Sequence, residues 1–207
     1  DEKIIAQFGK VGLNLLRNAR GEDDEPVRHK DDRREMKSIG NSCTYPSDLT
    51  DLRSVKRGLY VLADSVASRL RDAGQGLADT VHLWVRYSDL SDFSVQTKVR
   101  HTALCGEIAT HAYALFEKHV RPPFKVRSLG VTVSGFDNGA SQITYDEACG
   151  NYKKREAAER CVDAIRKKYG YEKLQRGIVA EADDGINTDV KNTHLIKPAK
   201  IDYPEED

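Results

Sequence analysis

Ser94, Gln96, Lys98 and Arg100 stand at every second position of one stretch. In an extended strand such residues share a face and repeat about every 6.6 Å. That interval is close to the separation of successive phosphates along one DNA strand. Two hydrogen-bonding side chains followed by two cations therefore suit contacts to a nucleic-acid backbone, which carries no base identity. Phe93, Val95, Thr97 and Val99 occupy the intervening positions, with Val95 and Val99 expected to point to the core.

Other chemistry is less well supplied. Cys105 has His101 and His111 at a spacing that allows a thiol–imidazole pair, but no third residue orients the base. The four cysteines, Cys43, Cys105, Cys149 and Cys161, are widely and irregularly spaced with no C-x-x-C. Reduced thiols of a cytoplasmic protein are expected rather than a zinc site or a disulfide framework. The acidic residues of GEDDEPV (21–27) sit beside a proline in a polar run, where carboxylates are solvated rather than preorganised for metal ions. No metal site is expected in this chain.

The 207 residues carry 33 basic and 33 acidic side chains, but the balance is partitioned. Residues 1–32 hold 6 basic and 8 acidic side chains, residues 33–136 hold 15 and 10, and residues 137–207 hold 12 and 15. The middle stretch, net +5, is the part suited to a polyanion. No apolar run approaches the roughly 20 residues of a membrane span, and no membrane association is expected. Asp1 opens in mid-pattern, and the chain is read as a piece of a longer polypeptide.

Several elements must position these residues. Apolar spacing predicts a helix over 3–19, with Gly9 and Gly12 suited to close backbone approach. EDDEPVRHKDD (22–32) holds a single apolar residue and reads as a linker. MKSIGNSCTY (36–45) predicts a strand ending at Pro46. Leu52, Val55, Leu59, Leu62, Val66 and Leu70 form one stripe of a helix over 51–73, started by Asp48 or Thr50 and closed by Gly74 and Gly76. Arg53, Lys56, Arg57, Asp64, Arg69 and Arg71 lie around that stripe.

Val81, Leu83 and Val85 alternate with His82, Trp84 and Arg86, and a short connection joins this strand to the 93–100 strand as a hairpin. Trp84 is read as a partly buried core aromatic, with stacking on a sugar or base as the alternative. A helix over 105–119 and a strand over 128–134 follow. The order β-α-β-β-α-β predicts an α+β fold, one four-stranded antiparallel sheet with both helices on one face and flanking helices outside it. The other sheet face is left for a partner. Residues 151–169 form a charged helix with a thin apolar stripe, expected to dock peripherally or to be solvated, and a polar tail follows.

Three segments resemble the Y-family of translesion, DinB/UmuC-like DNA polymerases. FGKVGLNLLRNARGEDDEPV (8–27) is similar to the last thumb helix and its linker. RREMKSIGNSCT (33–44), with its K-S-I-G run, is similar to the opening strand of the little-finger domain. KVRSLGVTVSGF (125–136) is similar to that domain's closing strand. The resemblance implies a thumb end over 1–24, a linker over 25–32, a little-finger-like DNA-binding domain over 33–136 and a C-terminal extension over 137–207.

It further implies DNA contacts by Arg34, Lys37, Ser38 and Arg127, beside Ser94, Gln96, Lys98 and Arg100. The partners it implies are double-stranded or primer–template DNA and the palm, fingers and thumb of the same polypeptide. The intact enzyme would be an error-prone DNA-directed DNA polymerase of DNA repair and the SOS response. Its Mg²⁺ would sit in the palm, so this chain alone is expected to be inactive and to need no cofactor. Family members often end in a sliding-clamp peptide, and SQITYDE (141–147) offers Gln142, Ile143 and Tyr145 for one; Tyr145 and Asp146 depart from the pattern. The rival reading is an α+β protein-interaction module that makes no DNA contact.

Overall fold

Alternation of apolar and polar residues over 81–86, 93–100 and 128–134 sets the architecture, because it gives one sheet a buried face and an open one. The structure, a computed structural model, describes residues 1–23, 26, 36–137 and 151–180. It divides into two units, residues 1–35 and 36–207.

In the first unit the expected single helix is two, α1 (Glu2–Phe8) and α2 (Lys10–Ala19). Gly9 breaks it by adopting φ 57°, ψ −135°, a conformation that side chains disfavour. Gly12 lies so close to α1 that a Cβ there would stand 2.7 Å from the Ile4 carbonyl oxygen. The two glycines thus act differently, one turning the chain and one admitting a neighbour.

The second unit contains β1 (Ser38–Leu49), α3 (Leu52–Ala73), β2 (Leu77–Tyr87), β3 (Asp92–Thr102), α4 (Cys105–His119) and β4 (Val126–Asp137). All strand pairs are antiparallel and the sheet order is β1-β4-β2-β3. This is the α+β, four-stranded arrangement expected. Leu83 pairs with Val131 and Val95, and Val81 with Val133 and Thr97, so the apolar positions fall in register on one face. Against that face α3 sets Val55, Leu59, Leu62, Val66 and Leu70, all fully buried, and α4 adds Ile108, Ala112 and Phe116. Val95 and Val99 pack at the margin of this core.

Two local expectations need correction. The N-cap of α3 is Asp51, which accepts from the Ser54 amide at 2.9 Å, rather than Asp48 or Thr50. β1 does not end at Pro46 but resumes pairing at Leu49 after an irregularity. β1 is an edge strand, where proline's missing N–H costs no ladder bond.

A third layer lies on the side of α3 turned away from the sheet. It comprises α5 (Asn151–Tyr169), a 3₁₀ turn (Tyr171–Lys173) and the short helix α6 (Gly177–Ala180). Arg57, Asp64 and Arg71, expected around the apolar stripe of α3, are buried at 5%, 3% and 8% exposure, Asp64 and Arg71 against this layer. Arg71 donates to Asp163 at 2.8 Å, to Glu159 at 2.5 Å and to the Ala103 carbonyl at 2.6 Å. Asp64 accepts from Arg166 and the Tyr171 hydroxyl at 2.5 Å each and from Arg176 at 3.3 Å. The thin stripe of α5 is thus supplemented by a buried ionic network, and Val179 of α6 joins the core. No helix among the described residues is long and apolar enough to cross a membrane.

Candidate nucleic-acid interface

The sheet face turned away from α3 and α4 is built, over the regularly paired middle of the strands, from even-numbered residues. Pairing register arranges them in rows across β1, β4, β2 and β3. One row reads Ser38, Ser134, Thr80, Lys98; the next Gly40, Thr132, His82, Gln96; the next Ser42, Gly130, Trp84, Ser94; the last Thr44, Ser128, Arg86, Asp92. Neighbouring strands lie about 4.8 Å apart, so hydroxyls, an amide, an imidazole and cations form a dense grid of donors. Ser94, Gln96, Lys98 and Arg100 are all exposed, as their alternation requires. Ser38, from the K-S-I-G run, shares this face.

The glycine of that run has a steric reason. A Cβ at Gly40 would lie 2.3 Å from Thr132 Oγ1. Gly130 sits under Trp84, whose ring would be 3.1 Å from a Cβ there, with Ser42 Cβ at 3.3 Å. The indole therefore lies over a glycine on the open face. This corrects the core assignment: Trp84 is half-buried, but on the side away from the helices. Its Nε1 donates to Asp92 at 2.9 Å, and the Arg86 guanidinium stands 5.0 Å from its ring centroid.

The remaining expected residues divide. Lys37 is exposed immediately before β1. Arg127 falls in the register break between Arg86–Ser128 and Tyr87–Val126, an extra residue that stays exposed where plain alternation would turn it inward. Arg34, and the clamp residues Gln142, Ile143 and Tyr145, lie outside the described residues. Cys105 is fully buried, and burial pushes its thiol well above the ordinary value. A nucleophilic thiol needs the opposite, a depressed value and access.

Sequence reasoning missed the carboxylates of this face. Lys98 Nζ meets Asp79 Oδ2 at 2.6 Å, and Arg86 meets Asp92 at 3.5 Å. The Lys98 ammonium, with the Thr80 hydroxyl at 2.6 Å, holds the Asp79 carboxyl below the usual carboxylate range. Asp92 was reachable by extending the Ser94–Arg100 alternation one step back. Asp79 was not, because it sits in a break of the β2–β3 register between Ala78 and Thr80.

Residues 36–145 match the impB/mucB/samB family C-terminal domain. The chain is 35% identical over 189 residues to the DNA polymerase IV of Acetivibrio thermocellus, covering 90% of this chain and 47% of that protein. It is 33% identical over 181 residues to the DNA polymerase IV of Alkaliphilus oremlandii, covering 82% and 44%. It thus spans a little under half the length of these relatives. Among solved structures, the little finger domain of PolIV in complex with the β-clamp processivity factor aligns at 15% identity and TM-score 0.42, over 52% of this chain and 96% of that one. The chain belongs to the impB/mucB/samB family and carries that family's C-terminal domain over residues 36–145.

Proposed function

We propose that the sheet face turned away from α3 and α4 grips the sugar–phosphate backbone of duplex or primer–template DNA without reading sequence. The observation that carries this reading is the composition of the four rows. Apart from the glycines that seat their neighbours, the buried Thr80 and Ser128 and the acidic Asp92, every position of the rows carries a hydrogen-bond donor or a cation, and the only large apolar side chain in them is one indole. A partner protein docking there would meet an array poor in apolar area, which weighs against the interaction-module alternative. Phosphate contacts that ignore base identity suit an enzyme that copies across damaged bases.

In the same reading the intact polypeptide is an error-prone, cytoplasmic DNA-directed DNA polymerase of DNA repair and the SOS response, with its Mg²⁺ in the palm. Gln142, Ile143 and Tyr145 would reach a sliding clamp. Fluorescence anisotropy of labelled duplexes with the purified chain tests the grip. Binding should be weak, in the non-specific range of roughly 10⁻⁴–10⁻⁶ M, indifferent to sequence and steeply weakened by salt. Binding that ignores salt, or that follows sequence, would refute it.

A further inference from the structure

The two carboxylates of the sheet face are seated by the form of the backbone. Gly135 adopts φ +67°, and a Cβ there would stand 1.9 Å from Asp79 Oδ1. Only glycine leaves the slot that Asp79 fills, and from it Asp79 reaches Lys98 and the Thr80 hydroxyl. Asp92 is fixed by the Trp84 indole N–H, and that indole is itself laid over Gly130. From there Asp92 meets Arg86 at 3.5 Å. The pairing is incomplete: Arg86 Nε is buried and has no hydrogen-bond partner among the described residues. Lys98 is likewise 74% exposed on its side chain despite its carboxylate partner. Asp92 and Lys98 stand six positions apart along β3, about 20 Å, so one such pair lies toward each end of the face.

We infer that Asp79 and Asp92 are built-in counter-ions of the grip. In the free chain they occupy Lys98 and Arg86, and backbone phosphates of DNA displace them. The inference rests on the sheet face being the DNA-binding surface. It gives these carboxylates a purpose beyond solubility. They hold both cations in place over the sheet, and they limit how tightly the face holds DNA, because each phosphate must replace a carboxylate already in position. Trp84 serves Arg86 as a positioning residue, giving the guanidinium an aromatic seat that survives the exchange.

The test is duplex binding by the full 207-residue chain carrying Asp79→Asn or Asp92→Asn, measured by anisotropy at about 0.1 M salt. Asparagine keeps the shape and one acceptor oxygen, and exposed ion pairs contribute little to stability, so melting should barely move. Each variant should bind up to about fivefold tighter, the factor that corresponds to releasing one such pair. Glu156→Gln removes the same charge from α5, whose Glu156 pairs with Arg160 at 2.7 Å, and should leave binding unchanged. Asp79→Ser and Asp92→Ser serve if an asparagine variant melts abnormally. The inference is overturned if the neutral variants bind no more tightly than Glu156→Gln. Lys98→Ala and Arg86→Ala separate the two levels. If they weaken binding while the neutral variants do not tighten it, only the counter-ion role falls. If they leave binding unchanged, the sheet-face reading falls with it.

Discussion

Replacing Asp64 by Ala asks whether charge holds the third layer in place. Asp64 is 3% exposed and accepts from Arg166, Tyr171 and Arg176. Without it, Arg166, 9% exposed, keeps among the described residues the Leu174 carbonyl for its Nε at 2.8 Å and the Tyr171 ring 4.1 Å from its guanidinium. Removing one partner of a buried pair costs about 3–5 kcal/mol. Arg176 keeps Glu159 at 3.1 Å, so the lower end, about 3 kcal/mol, is expected. At about 2–4 °C per kcal/mol for a chain of this length, Tm should fall by about 6–12 °C if the layer melts with the sheet. If the layer opens alone, amides of α5 should exchange roughly a hundredfold faster while those of β2 and β4 hold. Calorimetry and hydrogen exchange on the same sample read both outcomes. Asp64→Leu with Arg166→Met should recover most of the stability, since apolar replacement of a buried pair is often neutral or better. A melt within about 0.5 kcal/mol of the parent, with α5 exchange unchanged, would refute the network as the layer's anchor.

The same network sets a pH response. Burial alone would raise the Asp64 carboxyl, but Arg166, the Tyr171 hydroxyl and Arg176 together hold it below the ordinary value. A depressed carboxylate contributes stability that is complete above its unfolded value, about 3.9, and is lost as pH falls through its folded value. Circular dichroism and α5 hydrogen exchange should therefore show release only below about pH 4; release near neutral pH would contradict this. Gly40→Ala should destabilise by about 1–3 kcal/mol through the clash with Thr132, and Thr132→Ala should restore most of it in a double-mutant melting cycle. Trp84 is the only tryptophan, so its emission should change on DNA binding as Arg86 and Asp92 part; unchanged emission at saturating DNA would count against contact at that row.

The sheet and its two helices were legible because each carries its own period. The α3 stripe and the alternations of β2, β3 and β4 need no knowledge of distant residues. The break at Gly9 was not legible, since a tolerated glycine and a helix-ending one look alike until φ is known. The third layer was hidden for a different reason. Asp64 and Arg166, or Arg71 and Asp163, are far apart in sequence and obey no period, so Asp64 and Arg71 read only as residues around the α3 stripe. On the candidate interface, alternation located Ser94, Gln96, Lys98 and Arg100, and it also placed Trp84 beside His82 and Arg86. Treating an aromatic as core by type overrode that parity and was the error. Arg127 shows the converse, because a bulge cancels parity.

The most direct test of the grip is the salt dependence of duplex binding by Lys98→Ala plus Arg100→Ala against the parent chain. Exposed charges contribute within about 0.5 kcal/mol to folding, so melting should be nearly unchanged. Lys153→Ala plus Lys154→Ala, two exposed cations of α5, removes the same charge from the far layer. If phosphates meet the sheet, the slope of log K against log salt should fall in the β3 variant by about 0.9 for each phosphate no longer neutralised. In the α5 variant it should stay at the parent value. A normally melting β3 variant whose slope equals the parent's would contradict the account, and DNA would have to bind elsewhere.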